Sequence, residues 1–292
     1  MRKIFRGVGL SILFICCAGT VSAATTLTGN YLKVGVSDSG ALIDFATGTG
    51  VKYDPSGRGD FAGVNDILMP GLPFAFYSIG VNGQSATASS LLRNNPFSSV
   101  TAGSSVGGTQ FAVTAGGNYG GLSITQVLSF GVNSSTLHSS IVLTNTSNYT
   151  MHSVAYAVGL DPDQDATGQK GFETTNVVQG HGPESSVWAY GRKSDIWVTL
   201  SSTSGWEKTR AGISSDWITD PYSLIYMPRN DGSGDNSISL AYNLGELRPG
   251  EQVSLGYDYA FARAVPEPET YAMLGMGLGL IGLMRMRSRQ QG

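Results

Sequence analysis

Between residues 24 and 264, apolar and polar positions alternate in short runs that glycine or asparagine breaks apart. Phe111–Val113, Leu122–Leu128 and Leu137–Leu143 each send every second side chain to one face, as a half-buried strand requires. The same period recurs at Tyr31–Val36, Phe74–Val81, Ser153–Val158, Val187–Tyr190, Ile196–Leu200, Leu224–Met227, Ile238–Tyr242 and Val253–Phe261. No stretch of this region has the period of an amphipathic helix. Many short strands, punctuated by the chain's 40 glycines, predict an all-β fold: an antiparallel β-sandwich or a larger two-sheet sandwich. The alternative is a split into two domains near Asn94–Gly108.

Both ends depart from this pattern. Arg2, Lys3 and Arg6 precede an uncharged run, Gly7–Val21, and Val21-Ser22-Ala23 offers the compact residues that a signal peptidase reads. Residues 1–23 are therefore expected to be a signal peptide cut between Ala23 and Ala24. Both cysteines, Cys16 and Cys17, would leave with it. The mature chain then enters an oxidising compartment without a disulfide, so its core must hold it together.

At the other end stand Val265-Pro266-Glu267-Pro268, an apolar run over Tyr271–Met284, and Arg285, Arg287 and Arg289. Gly275, Gly277, Gly279 and Gly282 would each weaken a soluble helix by about 1 kcal/mol relative to alanine. A membrane helix tolerates them, and the arginines would keep its end in the cytoplasm. The Gly277-Leu-Gly279-Leu-Ile-Gly282 spacing mimics a dinucleotide fingerprint but lacks the preceding strand and the acidic residue downstream.

Tripeptide, apolar segment and basic end, in that order, resemble the PEP-CTERM sorting domain at the ends of many exported proteins of Gram-negative bacteria. The resemblance covers residues 265–289. It implies recognition by an exosortase-type membrane protease, transient anchoring in the inner membrane by a C-terminal membrane helix, and cleavage near the Pro-Glu-Pro. The body would then reach the cell surface or the extracellular space. The expected organisation is a signal peptide (1–23), an all-β exported domain (24–264) and a sorting and anchor tail (265–292).

Charge narrows the function of the body. Residues 24–264 hold 12 Lys and Arg against 19 Asp and Glu, an acidic balance that argues against nucleic acid or an anionic membrane as partner. No Asp, Glu, Lys or Arg occurs from Asn94 through Leu160.

The densest candidate chemistry is Gly159-Leu-Asp161-Pro-Asp163-Gln-Asp165-Ala-Thr-Gly168, just after a predicted strand. Asp161, Asp163 and Asp165, at alternate positions of a turn, can converge on a hard cation, with calcium the candidate cofactor. The run is not an EF-hand loop, since Ala166 stands where that loop needs glycine and Phe172 where it needs glutamate. The alternative is a solvated turn bent by Pro162. A second Asp/Gly loop, Asn230–Asn236 with Asp231 and Asp235, reads as a hairpin connection, with a metal site as the alternative.

No catalytic constellation emerges. Asp163, Asp165, Glu173 and Glu184 cannot be nominated as a glycosidase pair from sequence, and His138, His152 and His181 lack metalloprotease spacing. Trp188, Tyr190, Trp197, Trp206, Trp217, Tyr222 and Tyr226 are read as sandwich core, with a sugar-stacking face as the alternative. The body is accordingly expected to be a non-enzymatic surface or extracellular-matrix protein in contact with exopolysaccharide or biofilm. The alternative is a carbohydrate-binding or carbohydrate-active sandwich, calcium-dependent through the aspartates.

Overall fold

The structure is a computed structural model that describes residues 24–89, 99–104, 108–168, 170–227 and 232–263. The expected signal peptide with its Ala23–Ala24 cut, and the tail with its membrane helix, lie outside the described residues. No helix among the described residues is long and apolar enough to cross a membrane.

Alternation along the sequence becomes three antiparallel sheets. A small sheet joins β1 (Thr25–Thr28), β2 (Leu32–Val36) and β3 (Val51–Tyr53). A five-stranded sheet contains β4 (Ala75–Val81), β5 (Gln84–Ser89), β10 (Met151–Leu160), β14 (Thr209–Ser214) and β16 (Ser237–Leu247) in the order β14-β16-β10-β4-β5.

A nine-stranded sheet takes the rest. It consists of β6 (Ser99–Ser104), β7 (Gln110–Tyr119), β8 (Leu122–Gly131), β9 (Thr136–Asn145), β11 (Thr174–Gln179), β12 (Ser186–Gly191), β13 (Ile196–Ser202), β15 (Gly232–Gly234) and β17 (Gln252–Arg263). Its order is β15-β11-β12-β13-β17-β9-β8-β7-β6. The uncharged stretch supplies β6 to β10: along β8 and β9 buried positions alternate with Ser-, Thr- and His-bearing outward ones, so these strands need no charge to stay wet on one face, while β10 is buried on both faces from Val154 to Leu160.

The sheets enclose one cluster of buried side chains that runs from Leu32 to Phe261. Its largest members include Tyr77, Tyr156, Tyr242, Tyr257 and Tyr259. Buried hydroxyls need partners, and these have them: Tyr77 donates to Ser39 O at 2.7 Å, Tyr156 to Gln126 Oε1 at 2.8 Å and Tyr242 to Gly256 O at 3.1 Å. The expectation that the Trp188–Tyr226 aromatics form the core holds only for part of the set: Trp206 and Trp217 pack, partly buried, against it. Trp188, Tyr190 and Trp197 are half-buried, on the outward-facing positions of β12 and β13, packed on one another with ring centroids 4.6 Å apart. Tyr226 is exposed.

Leu224–Met227 is also corrected, from strand to helix. The one α-helix among the described residues, α1 (Pro221–Tyr226), starts where Asp220 accepts a hydrogen bond from the Ser223 N–H and proline occupies the first turn. It lays Leu224 on Phe74, Phe76, Ala157 and Ala241, covering the second face of the five-stranded sheet. Four residues with two apolar neighbours fit either period, and the cap decides.

Candidate metal centre

The site begins where β10 ends. β10 and β16 run antiparallel with Leu160 opposite Ile238, the last pair of the ladder, so that Asp161 follows β10 and Asp235 precedes β16 at the same end of the sheet. β10 lies against β4 on its other side, and the Asp161 N–H donates to Phe74 O at 3.0 Å. Gly159 is needed for this approach, because a Cβ there would meet Ile238 O at 2.7 Å. Beyond Asp161 the chain is pinned by the Asp163 N–H on Ile67 O at 2.7 Å. The Gln164 amide, in turn, donates to Ala189 O and Ile196 O at 3.1 and 3.2 Å.

Asp161, Asp163 and Asp235 each bring a carboxylate oxygen within 4.8 Å of the others. Asp161 and Asp163 are only 2% and 3% exposed, while Asp235 lies at the exposed rim. The Oδ1 atoms of Asp161 and Asp163 are buried and find no hydrogen-bond donor among the described residues. This is abnormal for the fold itself: the equally buried Asp66 accepts from the N–H groups of Gly50, Val51, Leu68 and Met69 at 2.8 to 3.1 Å. Asp66 is a structural carboxylate with its acceptors filled. Asp161 and Asp163 are not.

Electrostatics follows from that geometry. Burial first, and Asp235 alongside, push Asp161 up to about 7. Burial, then Asp161 and Asp235, push Asp163 up to about 8. Asp235 is raised by its own partial desolvation and by Glu173, although contact with Asp161 pulls it the other way. Like charges held this close in a dehydrated recess favour either a proton or a cation.

The three residues open on a cavity of about 300 Å³ also lined by Gly71, Leu72, Phe172 and Trp217. Trp217 stacks on Phe74 at 5.7 Å, and its buried Nε1 lacks an acceptor among the described residues. Oxygens on opposite sides of a calcium ion stand roughly 5 Å apart, since each lies about 2.4 Å from it. The donor set fits such an ion: three hard carboxylates on one side, and room on the other for water or a ligand.

The remaining sequence candidates are placed elsewhere. Asp165 does not join the cluster; it accepts from the N–H groups of Lys193 and Ser194, both at 2.8 Å, and so fixes the turn between β12 and β13. Gly191 makes room for it, because a Cβ there would lie 2.5 Å from Asp165 Oδ1. Asp235 takes the third place, from the loop that the sequence reads as a hairpin connection. Glu184 is exposed in a short 3-10 turn. His138 pairs with Asp258 and His152 with Glu246, each at 2.8 Å on the exposed surface.

No curated protein matches the chain in sequence. Among solved structures it is similar to a bacterial glucoamylase, with 12% identity over 89% of this chain and 35% of that one, at a TM-score of 0.47. It is also similar to a galactose mutarotase-related enzyme from Lactobacillus acidophilus, with 12% identity over 84% of this chain and 99% of the other, at a TM-score of 0.41. A GH36 alpha-galactosidase from Geobacillus stearothermophilus shows 10% identity over 82% of this chain and 40% of its own, at 0.42. Residues 264–290 match the PEP-CTERM protein-sorting motif, so the tail carries the mark of exosortase recognition, of export and of a membrane-anchored C-terminus before processing.

Proposed function

We propose that this protein works outside the inner membrane as a non-enzymatic, calcium-binding surface or matrix protein in contact with extracellular polysaccharide. The observation that carries this is the convergence of Asp161, Asp163 and Asp235, two of them buried with unfilled acceptor atoms. Calcium supplies the positive charge that neutralises them, and its remaining coordination positions face the cavity. Asp161 and Asp163 hold the ion from the pinned end of β10, while Asp235 closes it from the rim.

Calorimetric titration of the protein with calcium chloride tests this. Binding to wild type and its loss in Asp163→Asn support it; no heat and no shift in melting temperature between calcium and chelator refute it.

A second reading, a carbohydrate-active protein, is favoured by one feature. Asp163, pushed up to about 8, retains a proton at neutral pH and stands ready as a general acid. Turnover of a polysaccharide that Asp163→Asn abolishes would decide for it.

A further inference from the structure

Beside the metal centre lies a larger cavity of about 560 Å³, and the two share Phe172 and Asp235. Lys170, Arg192 and Lys193 line it, a cluster of cations in a body that is acidic as a whole, together with the carboxylates of Asp165, Glu173 and Asp235. The Arg192 guanidinium is held there by Thr175 Oγ1 at 3.2 Å and Ser233 Oγ at 3.4 Å. Among the described residues no carboxylate forms an ion pair with any of the three; the pairs present are those of His138 and His152. The nearby Asp165 spends both carboxylate oxygens on backbone N–H groups.

The recess formed by these two adjoining cavities thus carries carboxylates without a counter-ion among the described residues, those of Asp161, Asp163, Asp235 and Glu173, and cationic side chains without an ion pair. Thr175, Ser233 and Phe172 are also part of its lining. We infer that it binds an anionic sugar chain of the uronate type: one sugar carboxylate completes the coordination of the cation on Asp161, Asp163 and Asp235, and another meets Arg192, Lys193 and Lys170. This rests on the cation reading above. A cation alone would satisfy the aspartates but leave Lys170, Arg192 and Lys193 without an anionic partner, and a simple anion would do the reverse. A polyanion with the cation satisfies both groups. Hydroxyl-rich walls and an aromatic ring suit a pyranose, whose ring carbons present C–H groups to aromatic faces.

The test is titration with an oligogalacturonate in calcium or in chelator, with a neutral malto-oligosaccharide and poly-glutamate as comparisons. Oligogalacturonate is expected to bind in calcium and to weaken at least about tenfold in chelator, the equivalent of one charge-assisted contact. The double variant Lys170→Ala/Lys193→Ala should weaken it about tenfold while leaving the calcium-induced shift in melting temperature unchanged. If calcium shifts the melting temperature but oligogalacturonate binds no better than the neutral sugar, this inference falls and the cation reading stands. If poly-glutamate binds as tightly, charge alone is recognised and the sugar assignment falls. If calcium produces no shift, both fall together.

Discussion

Asp161 and Asp235 share a side-chain hydrogen bond just beyond the end of the β10–β16 ladder, whose last pair is Leu160 and Ile238. Sequence proximity supplies Asp161 and Asp163, and the fold brings Asp235 to them. The energetic consequences of this cluster can be measured one by one.

Removing a charge from the cluster should stabilise the cation-free protein. Asp163→Asn keeps the shape of the side chain and abolishes its repulsion with Asp161 and Asp235, so the variant should gain about 1–3 kcal/mol in chelator at pH 8. Denaturant unfolding of the two proteins in chelator and in calcium checks this. The order of stability should reverse when calcium is added.

The cation-free protein should lose stability as pH rises from about 4 to about 8. Asp161 and Asp163 keep their protons up to about 7 and about 8 when folded, against 3.8 for an ordinary aspartate. Within that window the folded chain binds more protons than the unfolded one, so raising the pH favours unfolding. Melting temperatures recorded across the window in chelator should fall, and saturating calcium should flatten the profile. Binding should also release protons, which calorimetry in buffers of different ionisation enthalpy detects.

Asp165→Ala should separate folding from binding. It removes the acceptor for two charge-assisted hydrogen bonds at the β12–β13 turn, for a loss of roughly 2–4 kcal/mol. Its calcium-induced shift in melting temperature should persist. Loss of that shift in a variant that still folds would show that Asp165 belongs to the metal centre.

In the core, Tyr156→Phe should cost about 1–3 kcal/mol by leaving the buried Gln126 Oε1 without its donor. Equilibrium unfolding checks this, and calcium affinity should not change.

Processing of the tail is tested by mass spectrometry of the mature protein from a host with an exosortase. The C-terminus should lie near Pro266, and Arg289 should be absent from surface-localised material.

Alternation alone made the sandwich legible: Leu122–Leu128, Leu137–Leu143 and Val253–Phe261 all lie within strands whose apolar positions face inward. Period fails where a run is short. Leu224–Met227 is decided by Asp220 and Pro221 just upstream, a capping signal outside the run itself. The site was half legible. Asp161 and Asp163 stand out as clustered carboxylates, but spacing cannot distinguish an aspartate that caps a turn, Asp165, from one that faces its neighbours. Asp235 lies in the second Asp/Gly loop, and its place beside Asp161 and Asp163 becomes visible only in the folded chain. The tyrosine core was hidden for a related reason, because β4, β10, β16 and β17 each place one tyrosine or two on inward positions that are scattered along the chain.

The short link between β15 and β16 carries Asp235 at the point where the chain leaves the nine-stranded sheet for the five-stranded one. An ion held there is a rivet through that crossing. On the proposed calcium reading, how firmly the two sheets are fastened at this end would follow the calcium concentration around the molecule, and a chain whose strands slip by one residue would have no place to receive the rivet.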